Sequence, residues 1–257
     1  MNILFTVCGR AGSKGFKNKN LKKMRGVPLV YYTLASIEGF MDSDPKHNIT
    51  VALNTDSVEL VDLVERQRSI DVIKVERKKE LVGDVVSKVE VIKDTFLSFP
   101  EKKYDIVIDL DITSPLRRVQ DIEGIVSEYC KKRYDIVFSV VEARRSPYFN
   151  MVEEKPDGFY RKICESGFTA RQQAPNSYEM NASIYAYNTE FLKGNIDKTI
   201  LDYNCGIYQM PDYLVLDIDS EEDFKMMSFL HEHYCDTDKG IKDVYEIAKQ
   251  ICESSEG

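Results

Sequence analysis

The 257-residue sequence predicts an α/β fold, a mostly parallel β-sheet with helices on both faces and one small excursion. Three observations predict it. Apolar β-rich runs alternate with amphipathic stretches along most of the chain, the pattern of a parallel sheet covered by helices. The first run, residues 3–8, breaks into Gly9, Gly12 and Gly15 with Arg10 and Lys14 between them, as a strand does when it empties into a phosphate-binding loop. The most apolar run, 104–110, ends in Asp111, Thr113, Ser114, Pro115 and Arg117, a polar cluster at the carboxyl end of a strand, where such sheets carry ligand groups.

In chain order, residues 3–8 form the first strand. Pro28 opens a helix whose apolar positions, Leu29, Tyr32, Ile37 and Phe40, are only loosely periodic. Residues 48–53 are the second strand, and Asn54, Thr55, Asp56 and Ser57 supply caps for a helix over 58–68. A short strand at 71–75 precedes a helix over 84–99 with Val85, Val89, Ile92 and Phe96 on one face. After the strand at 104–110 come a helix at 120–132 and a strand at 135–141. Residues 143–171 then lose the helix pattern and carry two prolines, the aromatic pair Tyr148 and Phe149, and a turn at 156–158 between short β-like runs. Strands are expected again at 179–188 and 213–218. Ser220 caps a helix over 221–233, and 239–252 is an amphipathic tail helix. The predicted division is a main domain over 1–235, with an excursion at 143–185, and a helical tail over 236–257.

Charge is segregated. Seven Lys and Arg residues lie between Arg10 and Arg25 and the first acidic residue is Glu38, in a chain of net charge −8. Glycines let the backbone approach a polyanion, and cations neutralise it. A nucleoside triphosphate fits this better than a plain turn with solvated lysines would. The loop has neither the Walker order nor GxGxxG. An acidic balance, with pI about 5.1, argues against a nucleic-acid partner. No apolar run reaches membrane-spanning length, and no charged leader or cleavage pattern surrounds the first strand, so a cytoplasmic protein is expected. Six cysteines, scattered without close pairs, are expected as thiols without chemistry.

The expected strand at 213–218 turns Asp217 and Asp219 the same way, since alternate residues share a face. With triphosphate oxygens and water, such a pair suits Mg²⁺; helix capping is the plainer alternative. Asp109 and Asp111 likewise share a face, and Arg117 is placed to grip a carboxylate or phosphate through two N–H groups. Arg171, Gln172 and Gln173, then Asn181, Ser183 and Tyr185, suit a polyhydroxylated, carboxylated ligand. His231 and His233, two apart on a helix, face different ways and are expected at the surface.

Five ordered segments carry a resemblance: 8–20, TSPLR at 113–117, RQQAP at 171–175, NASIY at 181–185 and DIDSEEDF at 217–224. Together they resemble the acylneuraminate cytidylyltransferase family, over residues 2 to about 230. The resemblance implies a Rossmann-like nucleotidyltransferase that joins CTP to a nine-carbon 2-keto sugar acid, releases pyrophosphate, uses Mg²⁺ and works as a homodimer through the excursion. It implies Arg10, Ala11, Gly12, Ser13, Lys14, Asn20, Arg77 and Ser87 around the nucleotide, with Arg10, Lys14, Asp217 and Asp219 in catalysis and the last two on the metal. It implies Asp111, Thr113, Ser114, Arg171, Gln172, Asn181 and Tyr185 toward the sugar. Asp111 and Ile112 stand where sialate members have Gln and Pro, Lys88 stands at a serine position, and Tyr148 and Phe149 replace an expected lysine. These departures resemble the branch acting on diamino-nonulosonates, legionaminic acid in particular. N-acetylneuraminate, the eight-carbon sugar Kdo, and a non-catalytic nucleotide-binding regulator are the alternatives. RQQAP and NASIY favour the nine-carbon branch over Kdo, and the retained Asp217 and Asp219 speak for turnover.

Overall fold

The computed structural model describes residues 1–12, 15–83 and 86–255. The elements in order are β1 (Asn2–Gly9), β2 (Lys23–Met24), β3 (Val27–Pro28), α1 (Leu29–Ser43), β4 (Asn48–Thr55), α2 (Val58–Arg66), β5 (Val72–Glu76), α3 (Lys88–Leu97), β6 (Ile106–Leu110) and α4 (Val119–Tyr129). They continue with β7 (Ile136–Glu142), β8 (Val152–Glu154), β9 (Tyr160–Lys162), β10 (Tyr178–Asn188), α5 (Thr189–Lys193), β11 (Cys205–Gln209), α6 (Glu221–Thr237) and α7 (Lys239–Ser255). Seven strands form one sheet in the order β11-β7-β10-β6-β1-β4-β5. β1 is an interior strand and pairs in parallel with both β4 and β6. Its alternation feeds two cores. Ile3, Phe5 and Val7 pack on one face with α1, α4 and α7, and Leu4 packs on the other with Val89, Ile92 and Phe96 of α3.

β10 departs from the parallel pattern, running antiparallel to both β6 and β7. Its register shifts between Met180 and Tyr185, where Ala182 takes a left-handed φ of 52°. The buried Asn181 side chain holds this kink by accepting from Ser139 Oγ at 2.6 Å and donating to Leu214 O at 3.0 Å.

Two expectations fail on the carboxyl-terminal side. Residues 213–218 are not a strand: Asp212–Leu214 is a single 3₁₀ turn and the following residues are irregular. The edge strand is β11, parallel to β7, which the sequence reading missed because only Gly206 of its five residues is buried, leaving no apolar face to read. The α3 helix begins at Lys88, later than 84, because Ser87 and Glu90 form a capping box there. The loose periodicity of α1 is explained by burial on nearly all sides, between the sheet and the Ile241, Val244, Ala248 and Ile251 face of α7. His231 is buried, edge-on to Tyr32 and Tyr245, so its surface placement is corrected; only His233 is exposed. Burial, with nearby Arg25, lowers the His231 pKa to about 4, which keeps the ring neutral at pH 7. The excursion carries the β8–β9 hairpin, closed by a turn with Gly158 at φ 78°.

Candidate active site

The carboxyl ends of β1, β5 and β6 deliver their loops to one cavity of about 340 Å³. Its wall carries the cationic or amide side chains Arg10, Lys19, Asn20, Arg77 and Lys88 together with Asp111, Thr113, Asp217, Asp219 and Cys8. Seven residues expected from the sequence thus share a wall: Arg10, Asn20, Arg77, Asp111, Thr113, Asp217 and Asp219. Ser13 and Lys14 lie outside the described residues.

The loop after β1 is built for close approach. Gly12 has φ 70°, where a side chain is strained, and a Cβ on Gly15 would lie 2.9 Å from the carbonyl oxygen of Asp219. The Ala11 N–H donates to Asp56 Oδ1 at 2.8 Å, which ties the loop to the end of β4. Asn20 donates to the carbonyl of Arg10 at 3.1 Å. Arg77, though buried, gives Nε and Nη2 to the side chain and carbonyl of Asn54. Asp217 and Asp219 reach the cavity not by strand alternation but because the capping box of α6, Ser220 with Asp223, fixes the turn that carries them. Burial, then Asp219 and Asp111, raise the Asp217 pKa above the ordinary carboxylate value. That excess of negative charge favours a cation.

Lys88, noted in the sequence only as a departure at a serine position, is the hinge of the site's electrostatics. Its Nζ lies 2.7 Å from both Asp109 Oδ2 and Asp111 Oδ2. Asp109, with no exposure, also accepts from Thr6 Oγ1 at 2.7 Å. Burial opposes charge on Lys88, but the two aspartates outweigh it and place its pKa well above the lysine value. Burial likewise works to raise Asp111, but Lys88 and the hydrogen bonds from Thr113 prevail and hold it at about 2. An unfolded aspartate titrates near 3.8. The stabilisation is therefore complete above about pH 4 and is lost as pH falls toward 2, about 2 kcal/mol in all. Asp111→Asn is expected to flatten that acid limb of the stability curve in urea unfolding. A variant that keeps the wild-type slope would overturn the coupling.

Other expected residues stand elsewhere. Arg117 does not face the cavity: it is fully buried and donates to the carbonyls of Asp111, Ser114 and Ser183 at 2.8, 3.2 and 2.9 Å, clamping the loop after β6 to β10. Burial lowers its pKa to about 10, which still leaves it charged at neutral pH. Ser114 and Asn181 are buried behind the site. Ser87 and Tyr185 line an adjoining cavity of about 660 Å³ that shares Lys88. Arg171 and Gln172 are exposed; Arg171 donates to the carbonyl of Ala143 in a separate cleft. Lys19 and Lys88 were missed as site residues. The charge segregation around Lys19 and the departure at Lys88 were the signals that could have found them.

Comparison with known proteins places the family and the fold. Residues 4–224 match the model of a family described as cytidylyltransferase. A Campylobacter coli protein named post-translational flagellin modification protein B is 36% identical over 231 residues, 89% of this chain and 94% of the relative. A Campylobacter jejuni protein named CMP-N,N'-diacetyllegionaminic acid synthase is 35% identical with the same coverage. A Streptococcus agalactiae N-acylneuraminate cytidylyltransferase is 31% identical over 87% of this chain, which spans about half of it, 52%. Among solved structures, a CMP:2-keto-3-deoxy-manno-octonic acid synthetase complexed with CTP superposes with TM-score 0.65, covering 91% of this chain and 99% of that one, at 12% identity. That likeness shows the fold, a Rossmann-like nucleotidyltransferase sheet. The chain belongs to the cytidylyltransferase family of CTP-dependent nucleotidyltransferases.

Proposed function

We propose that this chain transfers CMP from CTP to the anomeric 2-hydroxyl of a nine-carbon 2-keto sugar acid of the diacetyllegionaminate type, releasing pyrophosphate. The observation that carries the reading is one cavity with Arg10, Lys19 and Arg77 on its wall together with Asp111, Asp217 and Asp219. The relatives named for legionaminate and acylneuraminate chemistry support the sugar class.

In-line attack on the α-phosphorus asks the protein for positioning and charge neutralisation more than for covalent chemistry. Arg10 and Lys19 neutralise the triphosphate, and Gly12 and Gly15, which carry no side chain, leave room for its close approach. Asn20 orders that loop through Arg10. Asp111, kept ionised by Lys88, is acceptor-only and selects a donor group on the ligand that meets it.

The residues present fit a divalent cation: Asp217 and Asp219 share the wall, and an ammonium already rests on Asp219. Among the described residues no three His, Cys, Asp or Glu side chains gather to enclose an ion. Two carboxylates would therefore hold Mg²⁺, with phosphate oxygens and water supplying the rest. Bound there, it supplies neutralisation of the charge that develops on the triphosphate.

The test is pyrophosphate release from CTP and Mg²⁺ with a panel of nonulosonates. Release with diacetyllegionaminate above N-acetylneuraminate and Kdo is expected. Preference for another sugar overturns the substrate reading, and release with none leaves only a nucleotide-binding regulator. The same protein is proposed to be a homodimer, supported by exposed Phe159 and Tyr160 on the excursion hairpin; a monomer in sedimentation equilibrium would exclude that.

A further inference from the structure

Lys19 lies on a single 3₁₀ turn, Lys19–Leu21, entered through Asn18 in a left-handed conformation at φ 55°. Its Nζ sits 2.7 Å from Asp219 Oδ1 and donates to the carbonyl of Ile218 at 2.9 Å. A carboxylate oxygen and a main-chain carbonyl are the oxygen donors a hard cation takes, and here an ammonium holds both. The backbone under them is fixed, because Asp223 Oδ2 accepts from the N–H groups of Asp219 and Ser220 at 3.2 and 2.8 Å. The Lys19 side chain is 21% exposed, so its head is held in place. Yet a lysine head is a point charge on a flexible four-carbon stem and re-aims readily. It lines the same cavity as Arg10 and Arg77.

We propose that Lys19 is an exchangeable internal cation: its ammonium occupies Asp219 until the triphosphate arrives, then moves to a phosphoryl oxygen and uncovers Asp217 and Asp219 for the divalent ion. The inference rests on the metal reading given above. One oxygen cannot hold an ammonium and a divalent cation together, so the nucleotide-free protein binds the ion weakly, reduced by the fraction in which Asp219 is uncovered. By linkage, CTP and the ion then strengthen each other's binding.

The test is Mn²⁺ binding to the full chain, followed by electron paramagnetic resonance. Without nucleotide, Lys19→Met is expected to bind Mn²⁺ about tenfold tighter than wild type, within the usual range of coupling between sites. Lys22→Met, which removes the same charge nearby, is expected to change little. With Mn²⁺ present, Lys19→Met is expected to bind CTP more weakly. Lys19→Gln serves the same comparison if the Met variant fails to fold. Nucleotide-free Mn²⁺ binding that is unchanged in Lys19→Met, or raised equally in Lys22→Met, overturns the exchange. Asp217→Asn and Asp219→Asn separate the two readings. If they abolish Mn²⁺ uptake by the CTP complex while Lys19→Met has no effect, the metal pair stands and the exchange falls. If they leave uptake unchanged, both fall.

Discussion

Asp219→Asn is expected to lower kcat at saturating CTP and Mg²⁺ by about a thousandfold or more and to leave the melting temperature unchanged. The reason is that the Asp219 side chain is 73% exposed and pairs with Lys19 at the cavity wall, so removing its charge disturbs no core. Its backbone stays in the turn held by the α6 capping box. What is lost is one of the two carboxylates proposed to hold the ion. An ion that stabilises a phosphoryl-transfer transition state contributes several kcal/mol, and each 1.4 kcal/mol or so is a factor of about ten in rate. Steady-state kinetics with a coupled pyrophosphate assay reads the effect directly. Activity retained at ordinary Mg²⁺ would sink the assignment of Asp219 to the cation.

Lys88→Met should have the largest effect on stability. It removes the shared counter-ion of Asp109 and Asp111, and Asp109 has no exposure at all. Breaking a buried pair by deleting one partner leaves a buried charge without its counter-ion, at about 3 to 5 kcal/mol. About a third of the Lys88 side chain meets solvent, 35%, which moves the expectation to the lower end. A loss of about 3 kcal/mol corresponds to a fall in Tm of roughly 6–12 °C in a domain of this size. The triple variant Lys88→Met, Asp109→Asn, Asp111→Asn is expected to recover most of it, because it removes the uncompensated charges as well. A single variant that melts like wild type would show that solvent already balances the pair.

Much of the fold was legible because local pattern and burial agree in its amino-terminal half. β1 alternates toward two cores, β4 leads into Ser57, which caps α2 by accepting from the Leu60 N–H at 3.2 Å, and the loop glycines stand where the backbone needs them. Where they disagree the reading failed. β11 is an edge strand with no apolar face, while 213–218 looks apolar yet packs as a turn: Leu214 and Ile218 are buried in irregular structure, and the Ile218 N–H pairs with the carbonyl of Thr113. Arg117 and His231 read as polar surface or ligand groups because nothing local reports that a β10 loop or two tyrosines will enclose them.

By itself the sequence determined the class of fold, the glycine-rich turn after β1 and the family, because each is written in residues close together or in ordered motifs. Tertiary structure alone decided that β10 runs antiparallel between β6 and β7, that Lys88 neutralises Asp109 and Asp111, that Arg117 is a buried clamp, and that Lys19 rests on Asp219 two hundred positions away. These outcomes depend on which groups share a low-dielectric space. Burial and Coulomb attraction act through distance in the folded molecule, which spacing along the chain does not record.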